Sequence, residues 1–326
     1  MALFSACQAE KDPSLTPEIF TENTPTPTHE LPVGVETLSP TIIPTPAQAQ
    51  TSAATQKVNL DPVQETCADN YCIYHNPFWL EKPIPPPDNS TVDLSYLFGT
   101  TQQGKYPVHA GVEFYNPTGT PVHAAAEGVV VFAGTDEEIL FNHWPNTYGN
   151  LVIIQHLLND DTHPFYSLYG HLSEISVSDG DRVNSGQIIG KIGTSGVAVG
   201  SHLHFEVRLG GIDLTNADNP ELFLRPEPEH GVLVIRIVDQ NNEPVAIPDL
   251  VIQPEEADST QLPRYLETYA EGASTNAFWQ ENLVAGDLSE GNYRLTFIHQ
   301  GQLIEQFIPI FHQKITYLNL QVEGNR

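Results

Sequence analysis

The nine residues Ser201-His202-Leu203-His204-Phe205-Glu206-Val207-Arg208-Leu209 place apolar and polar side chains at alternate positions. This period of two predicts a β-strand with one face in the core. The other face carries two histidines, a carboxylate and a guanidinium. Imidazoles at positions i and i+2 of a strand point the same way, so His202 and His204 are candidates for a metal site. A single histidine would be interpreted as structural, and the metal interpretation therefore needs ligands from elsewhere in the chain.

Such ligands occur about ninety residues upstream, in His109-Ala110-Gly111-Val112-Glu113-Phe114. The glycine, valine and phenylalanine favour a strand over a helix, and residues four apart on a strand share a face. His109, Glu113 and His204 together form a His, carboxylate, His set. With an open fourth position, this is the ligand pattern of a catalytic zinc site. Tyr169-Gly170-His171 adds another histidine beside a glycine.

Seven motifs follow one another in order within residues 96–226. Together they resemble the LytM-like, lysostaphin-type zinc metallopeptidases of family M23, which are peptidoglycan endopeptidases. The motifs are His109-Ala-Gly-Val-Glu113, Gly119-Thr-Pro-Val-His-Ala124, Tyr148-Gly-Asn-Leu-Val-Ile-Ile154, Tyr169-Gly-His-Leu172, Gly180-Asp-Arg-Val183, Gly186-Gln-Ile-Ile-Gly190 and Gly200-Ser-His-Leu-His-Phe-Glu206.

The resemblance implies a role for each motif histidine. His109, Glu113 and His204 are expected to hold Zn²⁺, and His171 and His202 to flank the attacking water and the substrate carbonyl. The chain has no His-Glu-x-x-His sequence that would supply a glutamate base from a helix. The catalytic base is therefore expected to be His171 or His202, and the sequence leaves both assignments open.

The chain departs from the family pattern at Glu113, where the family has aspartate. Glutamate carries its carboxylate one methylene further from the backbone, whereas zinc–oxygen bonds are held to about 2.0–2.2 Å. Glutamate binds zinc in other proteins, and all four motif histidines are present, so we expect zinc binding to be retained. The alternative is a degenerate domain that has lost the metal and binds the wall or activates a partner hydrolase.

Composition limits the classes of partner. The chain has 326 residues, enough for two domains with ordinary cores. Its formal net charge of −28 argues against nucleic-acid binding, which requires clustered Lys and Arg. No apolar run reaches the length of a membrane helix. Contact with a membrane is expected only through an N-terminal lipid anchor, and composition predicts no oligomeric state.

Residues 1–60 are predicted to be a lipoprotein-type start followed by a tether. Phe4-Ser-Ala-Cys7 is similar to a lipoprotein processing box, which makes Cys7 a lipidation candidate and suggests that an apolar leader precedes the given start. The alternative is that Cys7 is not a lipidation site and its position near the terminus is accidental. The following Pro- and Thr-rich residues cannot bury enough apolar surface to fold, and we expect them to be disordered.

Residues 61–227 are predicted to form the peptidase domain, an all-β barrel or sandwich of the LytM type, preceded by an N-terminal lead-in. Strand-like runs alternate with Gly, Asn and Asp, and helical periodicity is absent. In the lead-in, Cys67 and Cys72 are a disulfide candidate for an extracytoplasmic protein. The alternative is a metal clip with His75 as the nearest further ligand.

His156 lies at the end of a predicted strand. It is a candidate to orient a metal ligand, and the alternative is a purely structural role.

Residues 228–326 are predicted to form a small β-sandwich accessory domain. About seven short alternating runs in this region are typical of prealbumin-like or Ig-like modules, and no motif in it looks catalytic. Packing support is the expected role, with wall or glycan binding as the alternative. The whole chain is thus interpreted as a zinc endopeptidase that cuts peptidoglycan peptides in the cell envelope, lipid-anchored or secreted.

Overall fold

The computed structural model describes residues 62–68, 70–156, 164–256 and 262–324. Within these ranges the regular elements are β-strands and two short 3₁₀ helices, Leu214–Asn216 and Pro220–Leu222. The predicted all-β class is therefore confirmed. The predicted tether and its Cys7 lie outside the described residues. Among the described residues, no helix is long and apolar enough to cross a membrane.

In the described part of the chain, twelve strands precede residue 220. They are β1 (Val63–Cys67), β2 (Tyr71–His75), β3 (Val112–Tyr115), β4 (Pro121–His123), β5 (Gly128–Thr135), β6 (Asn150–His156), β7 (Phe165–Gly170), β8 (Leu172–Ile175), β9 (Arg182–Val183), β10 (Ile188–Ile192), β11 (His202–Leu209) and β12 (Ala217–Asp218).

The largest sheet of this region has β11 near one edge. Its strand order is β12-β11-β7-β6-β5-β9, and β3 also pairs with β11. The strands β4, β10 and β8 form a second, three-stranded sheet. Side chains of both sheets share one hydrophobic core, to which β11 contributes Leu203, Phe205 and Val207. The predicted alternation of β11 is thus present.

The opposite face of β11 is buried as well, which the alternation did not predict. His202, His204, Glu206 and Arg208 are all less than a tenth exposed, with Arg208 at 0%. A sequence pattern reports which side chains are polar, and here these polar side chains are covered by other parts of the same fold. Buried polar groups must hydrogen-bond or bind ions to offset the loss of water.

Seven strands follow residue 229 within the described ranges, and the sequence predicted about seven. They are β13 (His230–Val238), β14 (Leu250–Pro254), β15 (Arg264–Leu266), β16 (Leu283–Ser289), β17 (Gly291–His299), β18 (Gln302–Ile310) and β19 (Lys314–Gln321). They lie in two sheets, of order β1-β2-β19-β13-β16 and β15-β14-β17-β18. One hydrophobic core contains side chains of both sheets.

The lead-in hairpin of β1 and β2 belongs to this C-terminal part of the fold. Strand β2 pairs with β19, and Lys314 Nζ lies 2.5 Å from Glu65 Oε2. At the end of the hairpin a disulfide joins Cys67 and Cys72, with an S–S distance of 1.99 Å. The beginning and the end of the described chain are therefore joined by backbone pairing.

Candidate metal centre

Strand pairing brings two of the candidate ligands together. Strands β3 and β11 are antiparallel, and their register places Glu113 opposite His204. On the other edge of β11, Gly170 of β7 lies opposite His204. A glycine at this position leaves room for the ring of Tyr148, because an added Cβ would lie 3.2 Å from Tyr148 Cδ1.

His109 reaches the site from a connection and not from a strand. We expected His109 and Glu113 on one strand, but β3 begins only at Val112. The backbone of His109 instead bonds to the preceding segment, with its N–H donating to Thr100 and its carbonyl accepting from Gly99. These bonds fix the approach of the His109 side chain to the sheet.

Three ligand atoms converge on one point. His109 Nε2 lies 2.9 Å from Glu113 Oε1 and 3.3 Å from His204 Nδ1, and His204 Nδ1 lies 3.0 Å from the same oxygen. Ligands of a tetrahedral zinc ion stand roughly 3.3–3.6 Å apart, which follows from bond lengths of about 2.0–2.2 Å. The spacing of these three atoms is close to that of a zinc ligand set.

The chemistry of the site also suits a cation. Glu113 is 5% exposed, and its Oε2 accepts no hydrogen bond. Among the described residues, the basic side chains within ion-pair distance of Glu113 are the imidazoles of His109, His202 and His204, and none is a Lys or an Arg. A buried carboxylate without a Lys or Arg partner needs positive charge nearby. The residues therefore fit a zinc ion, to which they would contribute two imidazole nitrogens and one carboxylate oxygen.

His171 and His202 lie beside these ligands. Their ring centroids are 4.8 Å apart, and that of His171 is 5.7 Å from His204. His171 Nδ1 donates to the Ser195 carbonyl at 2.8 Å, and His202 Nδ1 donates to Gly200 at 3.1 Å. A ring that donates from Nδ1 carries no proton on Nε2 when it is neutral. Both rings can therefore accept a proton at Nε2.

Burial keeps both of these imidazoles neutral at physiological pH. It lowers the pKa of His171 to about 4, with the charge of His204 acting in the same direction. Burial likewise lowers the pKa of His202, although the charge of Glu113 opposes this shift. His171 also has φ +62°, a left-handed conformation that is uncommon for a residue with a side chain and often found at functional sites.

The ligands themselves are strongly coupled. Burial opposes ionisation of Glu113, but the charge of His204 and hydrogen bonds from His109 and His204 hold its pKa well below the usual range. Burial would lower the pKa of His204, but the charges and hydrogen bonds of Glu113 and Glu206 raise it to about 10. Without a metal, the positive charge that Glu113 requires thus lies on His204.

Behind His204 lies a second set of polar side chains. Glu206 Oε1 accepts from His204 Nε2 at 2.9 Å and from the Tyr148 hydroxyl at 2.5 Å. Arg208 donates to Glu206 Oε2 from Nε and Nη2, at 2.8 and 2.7 Å. Glu206 and Arg208 are both 0% exposed. The pKa of Tyr148 is held well above its usual value, chiefly by burial and then by the charge of Glu206, so its hydroxyl keeps its proton.

The site opens into a cavity of about 230 Å³ with aromatic walls. The Tyr96 ring stacks on His109 with 3.9 Å between centroids, and Tyr115 lies 5.0 Å from His202. Apart from Glu113, none of the described residues that line the cavity is an Asp, Glu, Lys or Arg. Trp144 and Val199 on its rim are exposed by 45% and 74%. A groove of this kind can accommodate an uncharged stretch of polypeptide beside the histidines.

Residues 107–216 match the sequence profile described as Peptidase family M23. The chain contains a peptidase family M23 domain. The resemblance inferred from the seven motifs is therefore confirmed for this part of the chain, which includes His109, Glu113, His171, His202 and His204.

Known proteins align with the M23 domain over part of their length. The chain is 37% identical over 122 residues to the DD-carboxypeptidase/endopeptidase Mpg of Neisseria meningitidis serogroup B, covering 37% of this chain and 24% of that protein. It is 38% identical over 128 residues to the glycyl-glycine endopeptidase ALE-1 of Staphylococcus capitis, covering 37% and 32%. The catalytic domain of lysostaphin from Staphylococcus simulans is a similar solved structure, with 30% identity, a TM-score of 0.30 and coverage of 44% of this chain and 86% of that one. The chain thus spans less than two thirds of the two sequence relatives.

His156 is the one predicted site histidine that lies apart from this group. Its Nδ1 donates to the Glu127 carbonyl at 2.9 Å, and its Nε2 accepts from Ser167 Oγ at 2.7 Å. The Ser167 hydroxyl lies 2.8 Å from Tyr169 OH, which accepts from the backbone of Ala125. Burial lowers the pKa of His156 to about 4. These contacts fix the end of β6, and none of them reaches a candidate zinc ligand.

Sequence reasoning gave no role to three side chains that support the M23 site, Glu206, Arg208 and Tyr148. A signal for two of them was available, because Glu206 and Arg208 continue the period of two that begins at His202. No periodic signal identified Tyr148, because it approaches β11 from a connection before β6.

Proposed function

We propose that this protein is a zinc-dependent endopeptidase that hydrolyses peptide bonds in bacterial peptidoglycan. The observation that carries the proposal is the convergence of His109 Nε2, Glu113 Oε1 and His204 Nδ1 within hydrogen-bond distance of one another, beside two further imidazoles. The sequence relatives support the type of reaction, since both are named as endopeptidases.

In this proposal His109, Glu113 and His204 hold the zinc ion. The ion would lower the pKa of a water molecule and polarise the carbonyl of the scissile peptide bond. His171 and His202 both line the cavity, and each ring carries no proton on Nε2 when it is neutral. One of the two rings takes the proton of the attacking water at Nε2. The other can stabilise the oxygen on which negative charge develops once its own Nε2 has gained a proton, because only an N–H can donate to that oxygen. The aromatic walls bind the peptide beside these groups and exclude water.

We propose that the remaining parts of the chain deliver this site to the cell wall. Residues 61–227 contain the peptidase domain, and residues 228–326 form the β-sandwich accessory domain, whose strand β19 pairs with β2 of the lead-in hairpin. Residues 1–60 connect Cys7, as a lipid-anchored terminus, to the folded part. The substrate class supports action outside the cytoplasm, because peptidoglycan lies in the envelope.

The metal content of the purified full-length chain tests the proposal. Mass spectrometry under native conditions should find about one zinc ion per chain, and the loaded protein should release soluble peptides from purified peptidoglycan. A folded protein that binds no zinc would refute the enzyme assignment. It would favour the alternative that Glu113 has abolished metal binding and that the domain binds the wall or activates a partner hydrolase.

Two histidine variants separate the proposed roles. His204→Ala should lose both zinc and hydrolysis, since it removes a ligand. His202→Ala should keep zinc and lower turnover by about 10²–10⁴-fold, the usual contribution of an acid or base. Loss of zinc from His202→Ala would show instead that His202 is a ligand.

A further inference from the structure

The side chains behind His204 form a hydrogen-bond network in which the direction of each proton can be assigned. The starting point is Arg208, because a guanidinium has donors only. Its Nε and Nη2 both donate to Glu206 Oε2, and Nη2 also lies 2.8 Å from the Tyr148 hydroxyl. Its Nη1 donates to the Ile212 carbonyl. All three guanidinium nitrogens of Arg208 therefore make hydrogen bonds.

The Tyr148 hydroxyl is the next group in the network. It accepts from Arg208 Nη2 and from Asn142 Nδ2, the latter at 2.9 Å. Two accepted bonds use both lone pairs of the oxygen, so its single proton is left to donate. Among the residues that the structure describes, the acceptor that it reaches is Glu206 Oε1, at 2.5 Å. The tyrosine therefore donates to Glu206 and cannot accept from it.

Glu206 then determines the protonation of His204. Its carboxylate already accepts two bonds from Arg208 and one from Tyr148, and an ionised carboxylate only accepts. The contact of 2.9 Å with His204 Nε2 must therefore be an N–H that His204 donates. A neutral His204 with its proton on Nε2 leaves Nδ1 unprotonated. Nδ1 is the atom that faces Glu113 and His109.

The two carboxylates that flank His204 differ in their surroundings. Glu206 pairs with the buried Arg208, so a metal ion on that side would have to displace a guanidinium. Glu113 has no Lys or Arg partner among the described residues, and its Oε2 accepts no hydrogen bond. A metal ion therefore fits beside Glu113 and not beside Glu206, where the guanidinium already provides the positive charge.

We propose that Glu206 is a positioning residue for the metal site. Held by Arg208 and Tyr148, it fixes His204 in the tautomer that offers Nδ1 as the metal ligand. This inference rests on the proposed function, because it concerns the zinc site of the same domain. Groups that orient metal-bound histidines in this way typically change metal affinity by about 10–100-fold when they are removed.

The variant Glu206→Gln tests the role of the carboxylate. A glutamine amide has one acceptor oxygen and one donor NH₂ group, whereas donors approach both oxygens of Glu206. If the NH₂ group replaces Oε2, it faces the donors of Arg208, so it is expected to replace Oε1 instead. There it donates to His204 Nε2, which favours the tautomer with the proton on Nδ1 and opposes metal binding. We expect zinc affinity to fall about 10–100-fold, measured by competition with a chromophoric chelator. The matched control is Glu221→Gln, which also replaces a buried carboxylate, one that accepts from the backbone of Gly286 and not from a zinc ligand. The zinc affinity of this control should equal that of the wild type.

A second measurement does not depend on whether the variant folds. Long-range ¹H–¹⁵N spectra of the zinc-loaded wild type should show His204 with its proton on Nε2 and without one on Nδ1. The opposite tautomer, or an unchanged zinc affinity in a folded Glu206→Gln protein, would overturn this inference while leaving the zinc enzyme intact. Failure of the wild type to bind zinc would instead refute the proposed function.

Discussion

At the scale of the residue, Glu113 carries the charge that the site needs. The carboxylate is buried, and within the described residues only histidines pair with it. Since its pKa lies well below the usual range, it is ionised at any pH at which the enzyme would act. A zinc ion would replace the proton that His204 otherwise carries, so metal binding releases a proton. The longer arm of glutamate is thus compatible with the three-atom convergence.

Replacement of this carboxylate by an amide should weaken zinc binding. We predict that Glu113→Gln lowers zinc affinity by at least about 100-fold, because a neutral amide oxygen neither balances the charge of the ion nor matches a carboxylate as a ligand. Competition titration with a chelator measures the effect. Glu174→Gln is a suitable control, since Glu174 is exposed and pairs only with Lys191. Equal affinities in Glu113→Gln and in this control would exclude Glu113 as a ligand.

At the scale of the element, the close approach of β11 to the segment before β3 shapes the site. A Cβ on Gly111 would lie 2.5 Å from the Phe205 carbonyl oxygen and 2.9 Å from Glu206 Cγ. Contacts this short require the backbone of β11 or the segment that carries His109 to move. Glycine is therefore needed at position 111 to bring His109 against His204.

The variant Gly111→Ala should consequently affect both stability and metal binding. We predict that it lowers the free energy of unfolding by about 1–3 kcal/mol, the usual cost of overpacking, and that it weakens zinc binding by separating the ligands. Urea denaturation and chelator competition measure the two effects. Gly134→Ala in β5 is the control, because its added Cβ would lie at an ordinary contact distance of 3.5 Å from Phe132 Cζ. A Gly111→Ala protein as stable as this control would contradict the close approach.

Strands could be predicted from the sequence where the pattern depended only on residues close together in the chain. The alternation in residues 201–209 predicted β11 and the shared face of His202 and His204, because the side-chain period of a strand depends only on its own backbone. The burial of that face was not predictable, since Tyr148 reaches it from a connection distant in sequence. The position of His109 outside β3 was also missed, because its backbone partners, Gly99 and Thr100, lie in a segment without periodic pattern.

At the scale of the whole molecule, the least predictable feature is the pairing of the two ends of the described chain. From the sequence, residues 61–75 were predicted to belong to the peptidase domain. In the structure, β2 pairs instead with β19 of the C-terminal strands. Each strand is recognisable by itself, but its partner is chosen by packing across the whole chain, which local patterns do not encode. The division into domains at residues 227 and 228 stays a prediction.

The contact between the M23 region and the C-terminal strands contains buried acids. Glu221, in the 3₁₀ helix Pro220–Leu222, accepts from the backbone N–H of Gly286 in β16 at 2.9 Å. Burial raises the pKa of Glu221 from 4.5 to about 7, although the charge of Arg264 opposes the shift. Asp218 and Glu281 nearby also have raised pKa values, with burial as the largest cause of each. These carboxyl groups are therefore harder to ionise in the folded protein than in the unfolded chain.

This contact should make stability depend on pH through Glu221. Below about pH 4.5 the carboxyl is protonated in both the folded and the unfolded state, and its burial carries no ionisation penalty. As the pH rises towards 7 the unfolded chain loses the proton first, so the penalty grows to about 3 kcal/mol and is complete above pH 7. Glu221→Gln keeps an acceptor for Gly286 and cannot ionise. We predict that this variant equals the wild type in stability at pH 4 and exceeds it by about 3 kcal/mol at pH 8.

Urea unfolding of wild type, Glu221→Gln and the exposed control Glu174→Gln at both pH values measures this difference. Glu174→Gln should follow the wild type throughout, because Glu174 is about half exposed in its ion pair with Lys191. A stability gain in Glu221→Gln that is the same at pH 4 and pH 8 would mean that the amide packs better and that ionisation plays no part. A gain confined to pH 8 would locate a pH-dependent weakness at the junction between the M23 region and the C-terminal strands. Growth conditions more alkaline than pH 7 would then loosen this junction while the zinc ligands, which lie elsewhere in the fold, keep their geometry.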